Sequence, residues 1–257
     1  MKITFLGTGT SQGVPVIGCN CYVCSSLDYR DKRLRTSVHL DIAGKSFVID
    51  TGPDFRQQML SAGIKKLDGI IYTHEHKDHT AGLDDIRPFN FMQDKDMPIF
   101  GHLKVLNQIR TEFSYIFTKH RYPGIPMVED HEIQNQPFMA DGITFIPIEV
   151  MHYRLPVFGY RVLDFTYITD ANYIAPQEME KIYGTKILVL NALQNKEHIS
   201  HFNLTQALEM VEKIQPEKAY FTHVSHKLGL HCEVERNLPA NVFLAYDGLK
   251  LSLDECT

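Results

Sequence analysis

The feature that most constrains this chain is a short apolar run, Gly69-Ile-Ile-Tyr72, leading straight into Thr73-His-Glu-His-Lys-Asp-His-Thr80. A run of this kind reads as a strand buried on both faces. The histidine-rich segment then lies on the loop at that strand's C-terminal end, the edge where open α/β sheets bind their ligands. Imidazoles two residues apart, His74 and His76, can face one metal ion, while Asp78 and His79 serve a neighbouring one. Nitrogen and oxygen ligands of this kind suit a divalent ion of hard or borderline character.

One loop cannot complete two metal shells, so further ligands are expected at other strand ends. Three candidates fit. His152 ends the strand that starts at Ile143, Asp170 ends Phe165-Thr-Tyr-Ile-Thr-Asp, and His223 ends Ala219-Tyr-Phe-Thr-His. The chain also carries a weak internal echo. In each half an apolar strand is followed by a hairpin, a helix and a buried strand. The hairpins turn at Ala43-Gly44-Lys45 and at Leu163-Asp164. The helices run from Asp54 to Ala62 and from Pro176 to Tyr183, ending at Gly63 and Gly184. A further helix is predicted over Leu204–Ile214 and a last strand near Val242-Phe-Leu-Ala. Asp50 and Asp170 occupy matching places in the two halves. The expected architecture is α/β, with two mixed sheets flanked by helices. Between the halves, residues 87–136 are aromatic-rich and contain Tyr122-Pro-Gly-Ile-Pro126. That stretch is read as helices plus an insertion forming a lid or a subunit contact, which leaves a homodimer open.

At 257 residues the chain suffices for one large core, and residues 1–257 are read as a single domain. A net charge of -5 offers no global attraction to a polyanion, so nucleic acid is not an expected partner. No apolar run approaches the roughly 18 residues of a membrane span. Met1-Lys-Ile-Thr-Phe lacks signal-peptide features, so the expected location is cytoplasmic. There disulfides are rare, and the cysteines ask for another role. Cys19, Cys21 and Cys24 form Cys-x-Cys-x-x-Cys, three thiolates that want a fourth ligand around tetrahedral Zn²⁺. Gly7, Gly9 and Gly13 do not make the dinucleotide-binding pattern. Arg33, Arg35 and Arg87 are candidates for phosphate contact, and Asp50 reads as a carboxylate orienting a ligand imidazole.

The motif His74-Glu-His-Lys-Asp-His79 matches the His-x-His-x-Asp-His signature of the metallo-β-lactamase superfamily, which the chain resembles over nearly its whole length. The resemblance implies the αββα four-layer sandwich of the metallo-β-lactamase fold. It places His74, His76 and His152 at one metal and Asp78, His79 and His223 at the other, with Asp170 bridging them and Asp78 counted also among the catalytic groups. Two active-site ions, Zn²⁺ or Mn²⁺, would sit about 3.5–4 Å apart and share a hydroxide nucleophile. Gly7-Thr-Gly-Thr-Ser-Gln-Gly-Val-Pro-Val-Ile-Gly-Cys-Asn-Cys21, with Thr222-His-Val-Ser-His226, resembles the PhnP-type phosphodiesterase branch. That branch implies a structural Zn²⁺ on Cys19, Cys21, Cys24 and His226, with His231 and Cys232 as competing fourth ligands. It also implies a helper histidine that binds neither active-site metal. His201 matches it, with His198 as the weaker candidate.

The function expected is metal-dependent hydrolysis of small or cyclic, nucleotide-like phosphodiesters. A tRNA 3′-processing endonuclease of the RNase Z kind shares the metal motif, but no Gly/Pro- and Lys-rich arm for gripping tRNA is evident. A lactonase or thioesterase on the same metals is a further alternative. A scaffold that keeps the fold only for binding is a different class, and it would have no need of the full ligand set.

Overall fold

The structure, a computed structural model, describes residues 1–118 and 124–253. Strands β1 (Lys2–Gly7), β2 (Ser37–Ile42), β3 (Lys45–Ile49), β4 (Gly69–Ile71), β5 (Met97–Gly101) and β6 (Val128–Glu132) build the first sheet. Strands β7 (Phe138–Ala140), β8 (Ile143–His152), β9 (Leu155–Val162), β10 (Phe165–Ile168), β11 (Tyr173–Ile174), β12 (Ile187–Asn191), β13 (Lys218–Thr222) and β14 (Val242–Leu244) build the second. The last strand, β15 (Lys250–Ser252), returns to pair with β1 at the edge of the first sheet. The orders are β15-β1-β2-β3-β4-β5-β6 and β11-β8-β9-β10-β12-β13-β14, with β7 alongside β8. The helices are α1 (Phe55–Ala62), α2 (Lys77–Thr80), α3 (Arg87–Gln93), α4 (Leu103–Glu112), α5 (Pro176–Met179), α6 (Leu204–Ile214) and α7 (His231–Arg236).

Side-chain alternation explains the layering. On β12, Ile187 and Val189 point into the space between the sheets, where they join Phe5, Phe47, Phe145 and Phe165. Leu188 and Leu190 point the other way, onto Ala207, Met210, Val211 and Ile214 of α6. A central strand covered on both faces is apolar throughout. On β3 the same rule sends Phe47 and Ile49 inward and Val48 outward, against Phe55 and Met59 of α1. Each fully buried Ile, Leu or Phe of this kind contributes about 1.5–3 kcal/mol. The result is helix, sheet, sheet, helix.

The echo between the halves is present in the pairing. In each half a hairpin (β2–β3, β9–β10) precedes a parallel step (β3–β4, β10–β12). The first hairpin turns through Ala43 and Gly44, both with positive φ, and Gly63 caps α1 in the left-handed region. The second echo helix is shorter than expected: α5 closes at Met179. The larger correction concerns residues 87–136. They contribute β5 and β6, which extend the first sheet in parallel from β4, so this stretch is no simple helical insertion. Pro98 in β5 and the polar run Val128-Glu-Asp-His-Glu in the edge strand β6 hide the strand pattern. Of Tyr122-Pro-Gly-Ile-Pro126, the first two residues lie outside the described residues. Among the described residues no helix is long and apolar enough to cross a membrane.

Candidate active site

Parallel pairing brings the C-terminal ends of β3, β4, β10, β12 and β13 to one edge of the stacked sheets. Three residues just past these ends, Asp50, Asp170 and His223, adopt left-handed backbone, with φ of 65°, 55° and 55°. Asp and His tolerate that region better than most residues. Each turns the chain out of its strand and directs the side chain over the sheet edge. Gly52 lets the segment after β3 press against the ligand loop, because a Cβ there would lie 2.2 Å from the Asp78 carbonyl oxygen.

The side chains expected to share the site do converge. Ligand atoms of His74, His76 and His152 lie within 4.8 Å of one another, as do those of His74, His79 and Asp170 and those of Asp78, His79 and His223. His79 Nε2 is 3.3 Å from both Asp78 Oδ2 and Asp170 Oδ2, and His223 Nε2 is 3.2 Å from Asp170 Oδ1. Asp170 thus faces both groups. His74, His79, Asp170 and His223 are buried, while His76 and His152 sit where the site opens.

Neighbours fix which ring nitrogen faces inward. His79 Nδ1 donates to Asp50 Oδ2 at 2.7 Å. Thr73 donates to the same carboxylate from its backbone N–H and its hydroxyl, both at 2.8 Å. With the hydroxyl proton so used, Thr73 Oγ1 accepts from His74 Nδ1 at 2.9 Å. His152 Nδ1 donates to the Ser200 carbonyl at 2.9 Å. With Nδ1 so engaged, each of the three rings turns Nε2 toward the cluster, the arrangement a metal-ligating imidazole needs. Asp50 plays the orienting part read from the sequence. Thr73 and Ser200 were missed there, and Ser200 could not have been found, since its contribution is a backbone carbonyl.

The electrostatics call for a cation. Burial, then the charge of His79, holds His74 well below the usual imidazole range, and burial lowers His76 and His223 as well. Burial also opposes charge on His79, but Asp78, Asp50 and Asp170 outweigh it and raise that group well above its usual range. Burial likewise opposes the Asp170 carboxylate, yet His223 and His79 hold it far below the carboxylate range. His79 Nε2, His223 Nε2 and His201 Nδ1 are buried without a hydrogen-bond partner. Each such group costs about 1–3 kcal/mol if nothing satisfies it. Buried ring nitrogens without partners, crowded against buried carboxylates, are what divalent metal binding would satisfy once it displaces the proton of His79, so the residues present fit the group.

His201 stands beside this cluster, its ring 4.7 Å from that of His152 and 4.8 Å from that of His223, with Nδ1 3.8 Å from Asp170 Oδ1. His152, Asp170 and His201 also form a group able to hold a metal. The backbone places it firmly. Phe202 donates its N–H to the Ala171 carbonyl at 2.7 Å, and Asn203 caps α6 in a reciprocal box with Gln206. His198 lies farther out, its ring 5.1 Å from that of His201. The arginines suggested for phosphate contact are committed elsewhere. Arg33 is buried against Thr8, Ala245 and His231, Arg35 pairs with Asp54 at 2.9 Å, and Arg87 pairs with Asp84 at 2.6 Å.

A second cluster gathers Cys19, Cys21, Cys24 and His226, with His226 Nδ1 3.3, 3.3 and 3.4 Å from the three sulfurs in that order. Of the competing fourth ligands, His231 is taken up by Arg33 at 3.2 Å and Glu235 at 2.5 Å, and Cys232 lies outside the group. The Cys24 backbone N–H draws the Cys21 thiol down to about 6, toward a thiolate, while burial pushes Cys24 up to about 11. The loop after β13 serves both clusters. Val224 is stitched to Thr8 and Thr10 of the N-terminal segment by hydrogen bonds of 2.8 and 3.1 Å. His223 therefore faces the sheet edge and His226 faces the cysteines. Cys21→Ser should lower the melting temperature by ~6–12 °C, for a loss on the order of 3 kcal/mol. Activity per folded molecule should be largely kept. A melting curve that neither the substitution nor a chelator shifts would show that no metal is held there.

Residues 45–224 match the family model described as a beta-lactamase superfamily domain. A crystal structure described as a new diphosphatase from the PhnP family shares 43% identity and a TM-score of 0.93, covering 99% of this chain and 98% of that one. A Porphyromonas gingivalis protein named octanoyltransferase is 40% identical over 99% of this chain but only 52% of its own length. A Staphylococcus epidermidis ribonuclease Z is 29% identical over 63% of this chain and 49% of its own length. The chain thus spans about half the length of these curated relatives. With its two mixed sheets between helix layers and its His/Asp cluster at the sheet edge, the chain belongs to the beta-lactamase superfamily, with the metallo-β-lactamase fold and a PhnP-like chain throughout.

Proposed function

We propose that the chain hydrolyses small phosphodiesters or diphosphate-bridged nucleotides. His74, His76 and His152 would hold one divalent cation, Asp78, His79 and His223 a second, and Asp170 both. The observation that carries this reading is the buried convergence of those ligand atoms, with His76 and His152 at the mouth. When bound, such a cation pair neutralises phosphate oxygens and makes an attacking water more acidic. Asp50 and Thr73 keep the His79 and His74 rings in register. Water oxygen adds to phosphorus as the P–O bond to the leaving group breaks, and one proton passes to the departing oxygen. His201 stands on the side of the cluster from which that proton can come. Cys19, Cys21, Cys24 and His226 would hold a structural zinc remote from the chemistry.

The likeness to the diphosphatase supports this substrate class. The ribonuclease Z relatives raise tRNA as a substrate, but a net charge of -5 gives no general hold on a polyanion. The octanoyltransferase relative raises acyl esters instead. The test is one panel on Zn²⁺- or Mn²⁺-loaded protein: bis(p-nitrophenyl) phosphate, a cyclic ribose phosphate, diadenosine diphosphate, precursor tRNA and an octanoyl thioester. Phosphodiester and diphosphate hydrolysis is expected, with about three metals per chain by elemental analysis. Turnover confined to tRNA or to the thioester would overturn the reading, and so would a reproducible single metal.

A further inference from the structure

The mouth of the site is a depression lined by His76, His152, Tyr153, Arg154, Ile199 and Ser200. Tyr153 and Arg154 are the two-residue turn joining β8 to β9, where His152 pairs with Leu155. The turn is unusual. Tyr153 has φ of 58°, a position hairpins ordinarily give to Gly, Asn or Asp. Left-handed backbone costs an ordinary side chain about 1–2 kcal/mol, and the fold recovers little of it, because Tyr153 is 46% exposed. The strained turn is nonetheless held in place. Tyr153 N–H donates to Asn172 Oδ1 at 2.8 Å, Asn172 N–H donates to the Met151 carbonyl at 2.8 Å, and Asn172 Nδ2 donates to the Ile199 carbonyl at 3.2 Å. Asn172 therefore ties the turn to the loop that carries His201. A costly residue maintained at the rim of a reactive site points to function.

Arg154 makes the turn's chemistry specific. Its guanidinium lies 5.1 Å from the Tyr153 ring centroid, and among the described residues no carboxylate pairs with it. The lysines nearest the ligand loop are committed, Lys77 to Glu112 at 2.7 Å and Lys104 to Glu75 at 2.6 Å. An exposed planar cation resting on an aromatic face, beside a site read as binding phosphate, is a receptor for a second phosphate. We propose that the Tyr153-Arg154 turn is a specificity device for diphosphate-bridged nucleotides. Arg154 takes the phosphate next to the scissile one, and Tyr153 and Ile199 form the apolar walls for the nucleoside beyond it. The inference rests on the phosphoester reading given above.

The experiment compares wild type with Arg154→Ala, Arg154→Lys and Tyr153→Gly on diadenosine diphosphate and on bis(p-nitrophenyl) phosphate, which has no second phosphate. Arg154→Ala should raise KM for the diphosphate about 10–10²-fold, the scale of a charge-assisted hydrogen bond. Its kcat should change far less, and its effect on the single-phosphate ester should be much smaller. Arg154→Lys should recover part of the loss. Calorimetric binding of α,β-methylene adenosine diphosphate to metal-loaded protein should weaken by a similar factor. Tyr153→Gly separates substrate recognition from structure, since glycine relieves the backbone: its melting temperature should hold or rise while KM for the diphosphate rises. Equal losses on both substrates, or an unaltered KM for the diphosphate in Arg154→Ala, would overturn the proposal. If wild type hydrolyses neither ester, the phosphoester reading itself fails and this inference falls with it.

Discussion

Asp170→Ala should lose turnover by ~10²–10³-fold or more, because removing even one partner of a metal ligand or one preorganised polar group costs on that scale. Asp170 lies 3.3 Å from His79 Nε2 and 3.2 Å from His223 Nε2, and it also belongs to the group that includes His74. No other carboxylate among the described residues faces so much of the cluster. Its loss should therefore reduce metal content as well as rate. The alanine also sits at φ 55°, a conformation it dislikes, so a small drop in stability is expected from the backbone alone. Asp170→Asn is the informative companion, since asparagine accepts left-handed backbone and keeps the shape while removing the charge. The asparagine variant should retain wild-type melting in chelator yet still lose metal and rate. Full metal content with near-normal turnover in both variants would remove Asp170 from the bridging position.

The second large effect is expected at His201. Protonation of a poor leaving oxygen by a positioned acid is worth about 10²–10⁴ in rate. His201→Ala should lose rate on that scale with alkyl or ribose esters, and much less with p-nitrophenyl esters, whose leaving group departs without a proton. Metal content and melting should be little changed if the histidine acts on substrate alone. The geometry adds a condition. Burial first, and then the nearby His223, push the His201 imidazole down to about 3. The free ring is therefore neutral at neutral pH even with the Asp170 carboxylate 3.8 Å away, so donation requires that a bound phosphate bring the second proton to it. Equal losses on both ester types would replace proton donation with phosphate positioning. A loss of metal in His201→Ala would instead make it a ligand, as its grouping with His152 and Asp170 allows.

Much of the site was legible because covalent spacing carries it. His74, His76, Asp78 and His79 are neighbours in the chain, so wherever β4 ends they arrive together. The ends of β10 and β13 were readable from apolar runs that stop near Asp170 and His223, since a strand covered on both faces announces itself by composition, and β8 was readable from its long run of alternating burial up to His152. Cys19, Cys21 and Cys24 were readable by the same local logic. The strands β5 and β6 were not: Pro98 interrupts the pattern of β5, and β6 is an edge strand that owes less to burial and whose polar residues mask the period.

By itself, then, the sequence determined the local strand-to-loop units, the alternation that buries β12 on two faces, and the chemical types of the candidate ligands. The tertiary structure decided which strand ends meet. His226 reaches Cys19 across 207 residues of chain, and that meeting depends on β13 lying inside the second sheet while the N-terminal segment crosses over it. It also decided that His231 serves Arg33 and Glu235, that Arg33, Arg35 and Arg87 are committed to internal partners, and that Tyr153 and Arg154 stand at the mouth. The physical reason is range. Propensity and pattern act over a few residues, whereas the left-handed turns at Asp50, Asp170 and His223 are stable only because two stacked sheets hold their strand ends against one another.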